Sequence, residues 1–178
     1  MILEVRKWPD PVLLKSAEPV TEFDSRLKHF VEDMFETMYA EKGVGLAAPQ
    51  VGESKRIFVV NCSFEEDGVD GEIALINPEI VATDEEYMAE EGCLSFPGVR
   101  AKVKRYHRAT IKFQDVKGKW HEIEGEELLA QAFQHELDHL NGKVFIDFLD
   151  EAQLASIRKE LEALKREFKR RQPSALAR

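Results

Sequence analysis

The sequence predicts an α+β fold: a single domain in which antiparallel β-sheets surround a central helix, with an N-terminal helix and a C-terminal helix. Three observations support this prediction. Apolar residues recur at helical spacing in three separate stretches, several short strand-like stretches lie between the first two, and 178 residues suffice for one core. Since 43% of the residues are hydrophobic, that core can be substantial.

The N-terminal part of the chain predicts a proline-rich opening followed by a helix. Trp8-Pro9-Asp10-Pro11 should be extended or turned, because a residue before proline avoids helical backbone angles. Asp24 or Thr21 can cap a helix that continues until Gly43. Its apolar residues keep helical spacing: Leu27, Phe30, Val31, Met34, Phe35 and Met38. We assign this stripe to the core.

The middle of the chain predicts strands. Stretches rich in β-branched and alternating apolar residues run from Arg56 to Asn61, Ile73 to Asn77, Glu79 to Thr83, Lys102 to Asp115 and Trp120 to Glu124. Lys117-Gly118 is typical of a hairpin turn between the last two. Hairpins favour antiparallel pairing, and the sequence therefore predicts antiparallel sheets.

The central helix contains the motif Gln134-His135-Glu136-Leu137-Asp138-His139. Residues four apart lie on one helix face, so His135 and His139 can bind one metal ion while Glu136 lies beside it. The Asn141-Gly142 pair ends this helix. The motif is typical of metal-dependent hydrolases, although a helix can also carry two histidines and a glutamate by accident.

A third protein ligand would decide the class of metal site. The metzincin pattern requires a histidine where this chain has Phe145, so that class is excluded. A thermolysin-like enzyme would use a glutamate from a later helix, for which Glu160 and Glu162 are candidates. The remaining candidate is a cysteine.

The chain has two cysteines in different surroundings. Cys62 ends an apolar strand, where a free thiol usually packs as a small hydrophobe. Cys93 lies in a stretch punctuated by glycine and proline, where the backbone can bend around a ligand. We therefore favour Cys93 as the ligand. A disulfide between the two is disfavoured, since an acidic chain without a secretory signal is expected in a reducing compartment.

A third motif is Gly43-Val44-Gly45-Leu46-Ala47-Ala48-Pro49-Gln50. Its small residues let another backbone approach and pair with this one. Gln50 brings an amide that can donate a hydrogen bond. The segment is a weak phosphate site, because it lacks the third glycine of the dinucleotide pattern and the lysine of a P-loop.

The three motifs together resemble, in order, the signature motifs of the peptide deformylases. The second of them is Glu91-Gly92-Cys93-Leu94-Ser95, and the resemblance extends from about Pro9 to about Leu149. It implies a hydrolase that removes the formyl group from the N-terminal formyl-methionine of newly synthesised polypeptides and releases formate. We expect a deformylase-like catalytic domain over residues 1–150, and apolar spacing after Leu149 predicts a C-terminal amphipathic helix of the same domain over residues 151–171.

The resemblance implies a role for each motif. Cys93, His135 and His139 would hold a ferrous ion, which zinc or another divalent metal can replace. Water in the fourth position would attack the formyl carbon, with Glu136 as general base and then acid. The Gln50 amide and the Leu94 N–H would donate hydrogen bonds to the oxyanion. Gly45 would pair with the substrate backbone. The candidates for the methionine pocket, which could equally be ordinary core residues, are Val44, Leu128 and Ala132.

Charge and composition limit the kinds of partner that we expect for this protein. The chain has a net charge of −9, but residues 151–178 carry more basic than acidic side chains. Lys165, Arg166, Lys169, Arg170 and Arg171 could contact ribosomal RNA, or they could form the solvated face of an amphipathic helix. We expect residues 172–178 to be disordered. With no apolar stretch long enough for a membrane span and no signal peptide, we expect a cytoplasmic protein without membrane or DNA partners.

Overall fold

The structure, a computed structural model, describes residues 1–63 and 71–172. Within these residues the chain forms α1 Ser25–Ala40, β1 Gly45–Ala47, β2 Ile57–Asn61, β3 Glu72–Cys93, β4 Phe96–Gln114, β5 Trp120–Glu126, α2 Glu127–Leu140, α3 Glu151–Ser156 and α4 Arg158–Arg171. Short 3-10 helices span Pro11–Leu14, Ala48–Val51 and Phe145–Phe148. The predicted α+β class with a central helix is confirmed.

The strands form a five-stranded antiparallel sheet whose spatial order follows the chain, β1-β2-β3-β4-β5. Gly45 pairs with Val60 at one side of the sheet, and Ile111 pairs with Ile123 at the other. Because β1 is an edge strand, the outer edge of the Gly45–Ala47 backbone faces away from β2. An extended peptide can add to an edge of this kind.

Strand β3 is longer than the sequence predicted, since it unites the two predicted stretches and continues to Cys93. The interruption between those stretches is a bulge, where Asn77 has φ of 52° and its side chain bonds the backbone of Val20. Beyond the bulge the strand is mostly exposed and acidic. Cross-strand ion pairs from β4 hold it, including Lys104 to Glu86 at 2.9 Å.

Helix α1 has the apolar face that the sequence predicted. The Asp24 carboxylate accepts from the Leu27 N–H at 3.0 Å, which makes Asp24 rather than Thr21 the cap. Met34 and Met38 are fully buried against residues of β1 and β2. The helix therefore covers one face of the sheet.

Helix α2 packs against the sheet through Phe133 and Leu140. These two residues share a buried cluster with Phe58 of β2 and Ile111 of β4. The Gln134 side chain then fixes its rotation. Its amide accepts from the Tyr106 N–H and donates to the Tyr106 carbonyl, each at 2.9 Å. This pairing aligns the histidine face of α2 with β3 and β4.

The C-terminal helix, predicted as continuous, is divided at Ile157. Ile157 has φ of −113°, and the Ser156 hydroxyl donates to the Gln153 carbonyl at 2.6 Å, in competition with helix continuation. The break lets Ile157 and Leu161 pack beside Phe96. Of the predicted disordered tail, residues 173–178 lie outside the described residues. No helix in the described ranges is long and apolar enough to cross a membrane.

Candidate metal centre and active site

Three potential metal ligands converge although 46 residues separate the first from the last. Cys93 is the last residue of β3, and His135 and His139 lie one turn apart on α2. The Cys93 Sγ is 3.4 Å from the His139 Nε2, which is 3.2 Å from the His135 Nε2. All three ligand atoms lie within 4.8 Å of one another.

These separations fit a cation with tetrahedral coordination. Bonds of about 2.05 Å to nitrogen and about 2.3 Å to sulfur place neighbouring ligand atoms about 3.3 to 3.6 Å apart. Burial lowers the pKa of His139 well below its ordinary value, which favours the neutral imidazole that binds metals. The donor set and its spacing therefore suit a divalent transition metal.

The alternative third ligands lie elsewhere. Glu160 and Glu162 are exposed on α4 and are not part of the converging group. Phe145 occupies the position that metzincins give to histidine, and it is buried against Phe96 with ring centroids 5.0 Å apart. The structure therefore gives no support to an endopeptidase site of either kind.

The second cysteine, Cys62, is not part of the converging group of described ligand atoms. Cys62 packs at the edge of the apolar cluster that contains Phe58 and Val60. Burial raises the pKa of its thiol to about 11, so it stays protonated. Cys62 and Cys93 are both free, as expected for two cysteines in different surroundings.

A buried chain of charges supports His135 from behind. The Glu91 carboxylate is 2.8 Å from the His135 Nδ1, and Arg105 binds Glu91 and reaches Asp138 at 2.8 Å. Burial by itself would raise the pKa of Glu91, but hydrogen bonds to Arg105 and His135 outweigh it and lower the pKa to about 2. An ionised Glu91 holds the His135 Nδ1–H and leaves the Nε2 free for a metal.

We expect Arg105→Met to destabilise the fold strongly. The Arg105 side chain is 6% exposed, and its loss would leave the Glu91 and Asp138 carboxylates without their cation. Removing one partner of a buried ion pair typically costs about 3 to 5 kcal/mol. Urea unfolding measures the loss, with Arg108→Met on the exposed face of β4 as the matched control. Equal unfolding free energies for the two variants would contradict this role.

Glu136 directly follows His135 on α2. It is 5% exposed, and its Oε1 has no hydrogen-bond partner among the described residues. Burial raises the pKa of this carboxyl to about 7. A Cβ on Gly45 would lie 2.6 Å from the Glu136 Oε2. Glycine at position 45 therefore leaves the space that the carboxylate occupies.

Gln50 and Leu94 lie beside the cysteine sulfur. The Gln50 Oε1 accepts from the Ala47 N–H at 2.9 Å, which points the Nε2 toward Cys93 Sγ at 3.6 Å and Ser95 Oγ at 3.2 Å. Cys93 pairs with Phe96 across a tight turn that contains Leu94. A fixed amide donor and a turn N–H thus border one side of the centre.

A cleft of about 530 Å³ opens onto this centre. Gly45, Gln50, Cys93, Leu94, His135 and Glu136 contribute to its walls. The predicted pocket residues Val44, Leu128 and Ala132 also line it; Val44 is exposed, Leu128 is half-buried and Ala132 is buried. His139 is buried, with its Nε2 3.2 Å from that of His135. The structure therefore brings all of the sequence-predicted site residues to one place.

Sequence reasoning missed the supporting residues Arg105 and Ser95. Side chains of β4 alternate between the two faces of the sheet, and Arg105 lies on the same buried face as Val103. A charged residue at a position where the alternation predicts an apolar one could have indicated its role. Ser95 is fully buried and accepts from Gln50, but no spacing rule points to it. Both depend on contacts between distant parts of the chain.

Comparison with known proteins agrees with this geometry. The model of the polypeptide deformylase family matches residues 2–155. The chain belongs to the polypeptide deformylase family. It is 54% identical to the peptide deformylase of Acidobacterium capsulatum over 82% of this chain and 85% of the relative. It is 47% identical to that of Thermotoga maritima over 93% of this chain and 98% of the relative.

Solved structures agree as well. A peptide deformylase structure from Plasmodium falciparum has a TM-score of 0.90 and 41% identity, covering 96% of this chain and 99% of that one. One from Thermotoga maritima has a TM-score of 0.78 and 48% identity, covering 84% and 99%. Membership confirms the predicted family: the chain is a metal-dependent hydrolase that removes formyl groups from nascent peptides.

Proposed function

We propose that Cys93, His135 and His139 hold the metal ion with which this chain deformylates the N-terminal formyl-methionine of nascent polypeptides, while Glu136 moves the proton. The observation that carries this proposal is the convergence of three ligand atoms beside a buried carboxylate at the wall of a cleft. A metal bound there supplies Lewis acidity, which polarises the formyl oxygen and acidifies water.

Glu136 is the proton carrier in this proposal. Its carboxylate adjoins the histidines without being needed as a ligand, and its unpartnered Oε1 has a lone pair available. It can accept a proton from the attacking water and then donate it to the leaving amine. Because the side chain is buried against Gly45, it is held in one place for both transfers.

The negative charge that develops on the formyl oxygen needs donors that are already in position. We assign the Gln50 Nε2–H and the Leu94 N–H to this role, since both border the Cys93 side of the cleft. The hydrogen bond from the Ala47 N–H fixes the Gln50 amide so that its donor end faces inward. Donors held in advance stabilise an oxyanion without reorganising during the reaction.

The edge of β1 is the place for the substrate backbone. Gly45 lies on this edge strand, and among the described residues β2 is the one strand that pairs with β1. Val44, Leu128 and Ala132 supply apolar surface in the same cleft, which suits the methionine side chain. The formyl group would then reach the metal centre while the peptide continues along the strand edge.

We propose ferrous iron as the native metal, with zinc or another divalent metal as a replacement. One thiolate and two imidazoles are acceptable to both iron and zinc, so the donor set does not exclude either. The resemblance to deformylases favours iron. Metal analysis after anaerobic purification, with activity measured for the iron-loaded and zinc-loaded protein, distinguishes the two.

Formate release from a formyl-methionyl peptide tests the function directly. The iron-loaded protein should release formate from formyl-Met-Ala-Ser and leave acetyl-Met-Ala-Ser intact. The acetyl group carries a methyl where the formyl group carries a hydrogen, and a site shaped for the formyl group has no room for that methyl. Treatment with a chelator should abolish release, and added ferrous ion should restore it. Cleavage of an internal peptide bond without formate release would overturn the proposal.

We propose that residues 1–150 form the catalytic part and residues 151–171 the C-terminal helical part of one domain. Ile157 and Leu161 support this, because they are buried in the same cluster as Phe96 and Phe145. The substrate is a nascent chain, so we place the enzyme in the cytoplasm, where translation supplies it.

The basic face of α4 is proposed to contact ribosomal RNA. Arg170 and Arg171 already pair with Glu167 of the same helix, but Arg166 and Lys169 are exposed outside these pairs. We expect the double variant Arg166→Glu, Lys169→Glu to reduce cosedimentation with ribosomes at low salt while formate release is retained. Lys117→Glu, Lys119→Glu in the β4–β5 turn is the matched control. Unchanged binding of the α4 variant would contradict the contact.

A further inference from the structure

The N-terminal segment Arg6–Trp8 is bonded to both of the regions that carry the oxyanion donors. The Arg6 N–H donates to the Gln50 carbonyl at 2.6 Å, and the Trp8 N–H donates to the Ser95 carbonyl at 2.9 Å. Between them, the Lys7 ammonium donates to the Leu94 carbonyl at 3.2 Å. Three consecutive residues thus connect the two sides of the donor pair.

Lys7 stands out in this segment because its partner is a backbone carbonyl. Leu94 lies in the tight turn that joins Cys93 to Phe96, and its carbonyl accepts from Lys7. The lysine side chain is half-buried and reaches across 87 positions of the sequence to make the contact. A lysine of ordinary surface type would stay in solvent, where its charge is better hydrated.

The neighbours of Lys7 hold the segment in place. The Trp8 ring stacks on Phe96 with centroids 5.5 Å apart, which anchors the segment to the first residue after the turn. On the other side, the Gln50 Nε2 donates to the Ser95 Oγ at 3.2 Å. The Leu94 peptide is therefore fixed by contacts from the segment and from Gln50.

We infer that Lys7 is a positioning residue for deformylation, which acts by holding the Leu94 turn so that its N–H faces the developing oxyanion. The inference rests on the proposed role of Leu94. A donor of this kind contributes more in the transition state than in the bound substrate, so a misplaced turn lowers kcat more than it raises KM.

The test compares Lys7→Met, Lys7→Arg and Lys15→Met in the iron-loaded protein with formyl-Met-Ala-Ser. Loss of a direct oxyanion donor costs about a hundredfold or more in kcat, so loss of the group that positions one should cost about tenfold. We expect this decrease for Lys7→Met with KM, metal content and thermal midpoint unchanged. Lys7→Arg should recover most of the rate, because its guanidinium can still donate to the Leu94 carbonyl. Lys15, exposed in the same N-terminal region, is the control for the charge change.

The outcomes separate this inference from the proposed function. If wild-type protein releases no formate, the proposed function fails. If wild type is active and Lys7→Met has the same kcat, the positioning role is overturned while the function stands. A decrease in Lys7→Met that Lys7→Arg does not relieve, or an equal decrease in Lys15→Met, also overturns it. A lower thermal midpoint with normal kcat would assign Lys7 to stability alone.

Discussion

Glu136→Gln is expected to lower the rate of formate release about a thousandfold while the protein keeps its fold and its metal. The amide has nearly the same shape as the carboxylate but cannot accept and return a proton, and general acid–base catalysis contributes about a hundredfold to ten-thousandfold. Stability should not fall, because the variant removes a buried carboxylate whose Oε1 lacks a partner in the described structure. Formate release, metal content and thermal midpoint are measured together.

A second glutamate of the same helix provides the control. Glu127 lies at the start of α2 with a side chain that is 71% exposed, where it pairs with His107. Glu127→Gln should release formate at nearly the wild-type rate. Normal activity of Glu136→Gln with full metal loading would refute Glu136 as the proton carrier.

Cys93→Ala is expected to abolish both metal binding and formate release. With the sulfur removed, His135 and His139 remain as two imidazole ligands, and a site of this kind needs at least three protein ligands to retain the ion. Metal content after anaerobic purification should fall below detection. The thermal midpoint should then resemble that of chelator-treated wild type, because both proteins lack the stabilisation that bound metal supplies.

Cys62→Ala is the control that distinguishes the loss of a metal ligand from the loss of any thiol. Cys62 packs at the edge of an apolar cluster, so its replacement should retain metal and activity. Full metal content in Cys93→Ala would show that another side chain is the third ligand. This result is expected if the protein is an endopeptidase whose third ligand is Glu160 or Glu162. The structure argues against it, because both glutamates are exposed on α4.

Local patterns predicted the elements that position the site. The stripe on α1 follows from helical spacing, and the turn at Gly118 follows from a residue that accepts positive φ, here 85°. The exposed acidic half of β3 was not predicted, because ion pairs with β4 rather than apolar alternation hold it in the sheet. The division of the C-terminal helix at Ile157 likewise depends on packing against Phe96.

The sequence by itself determined the α+β class, the two histidines on one helix face and the family, because helix periodicity and contiguous motifs are local properties of the chain. Only the tertiary structure decided that the Cys93 sulfur lies beside those rings, that Arg105 binds Glu91 behind His135, and that Lys7 reaches the Leu94 carbonyl. These contacts join residues between 14 and 87 positions apart. Their formation depends on how helices and strands pack, which no single stretch of sequence specifies.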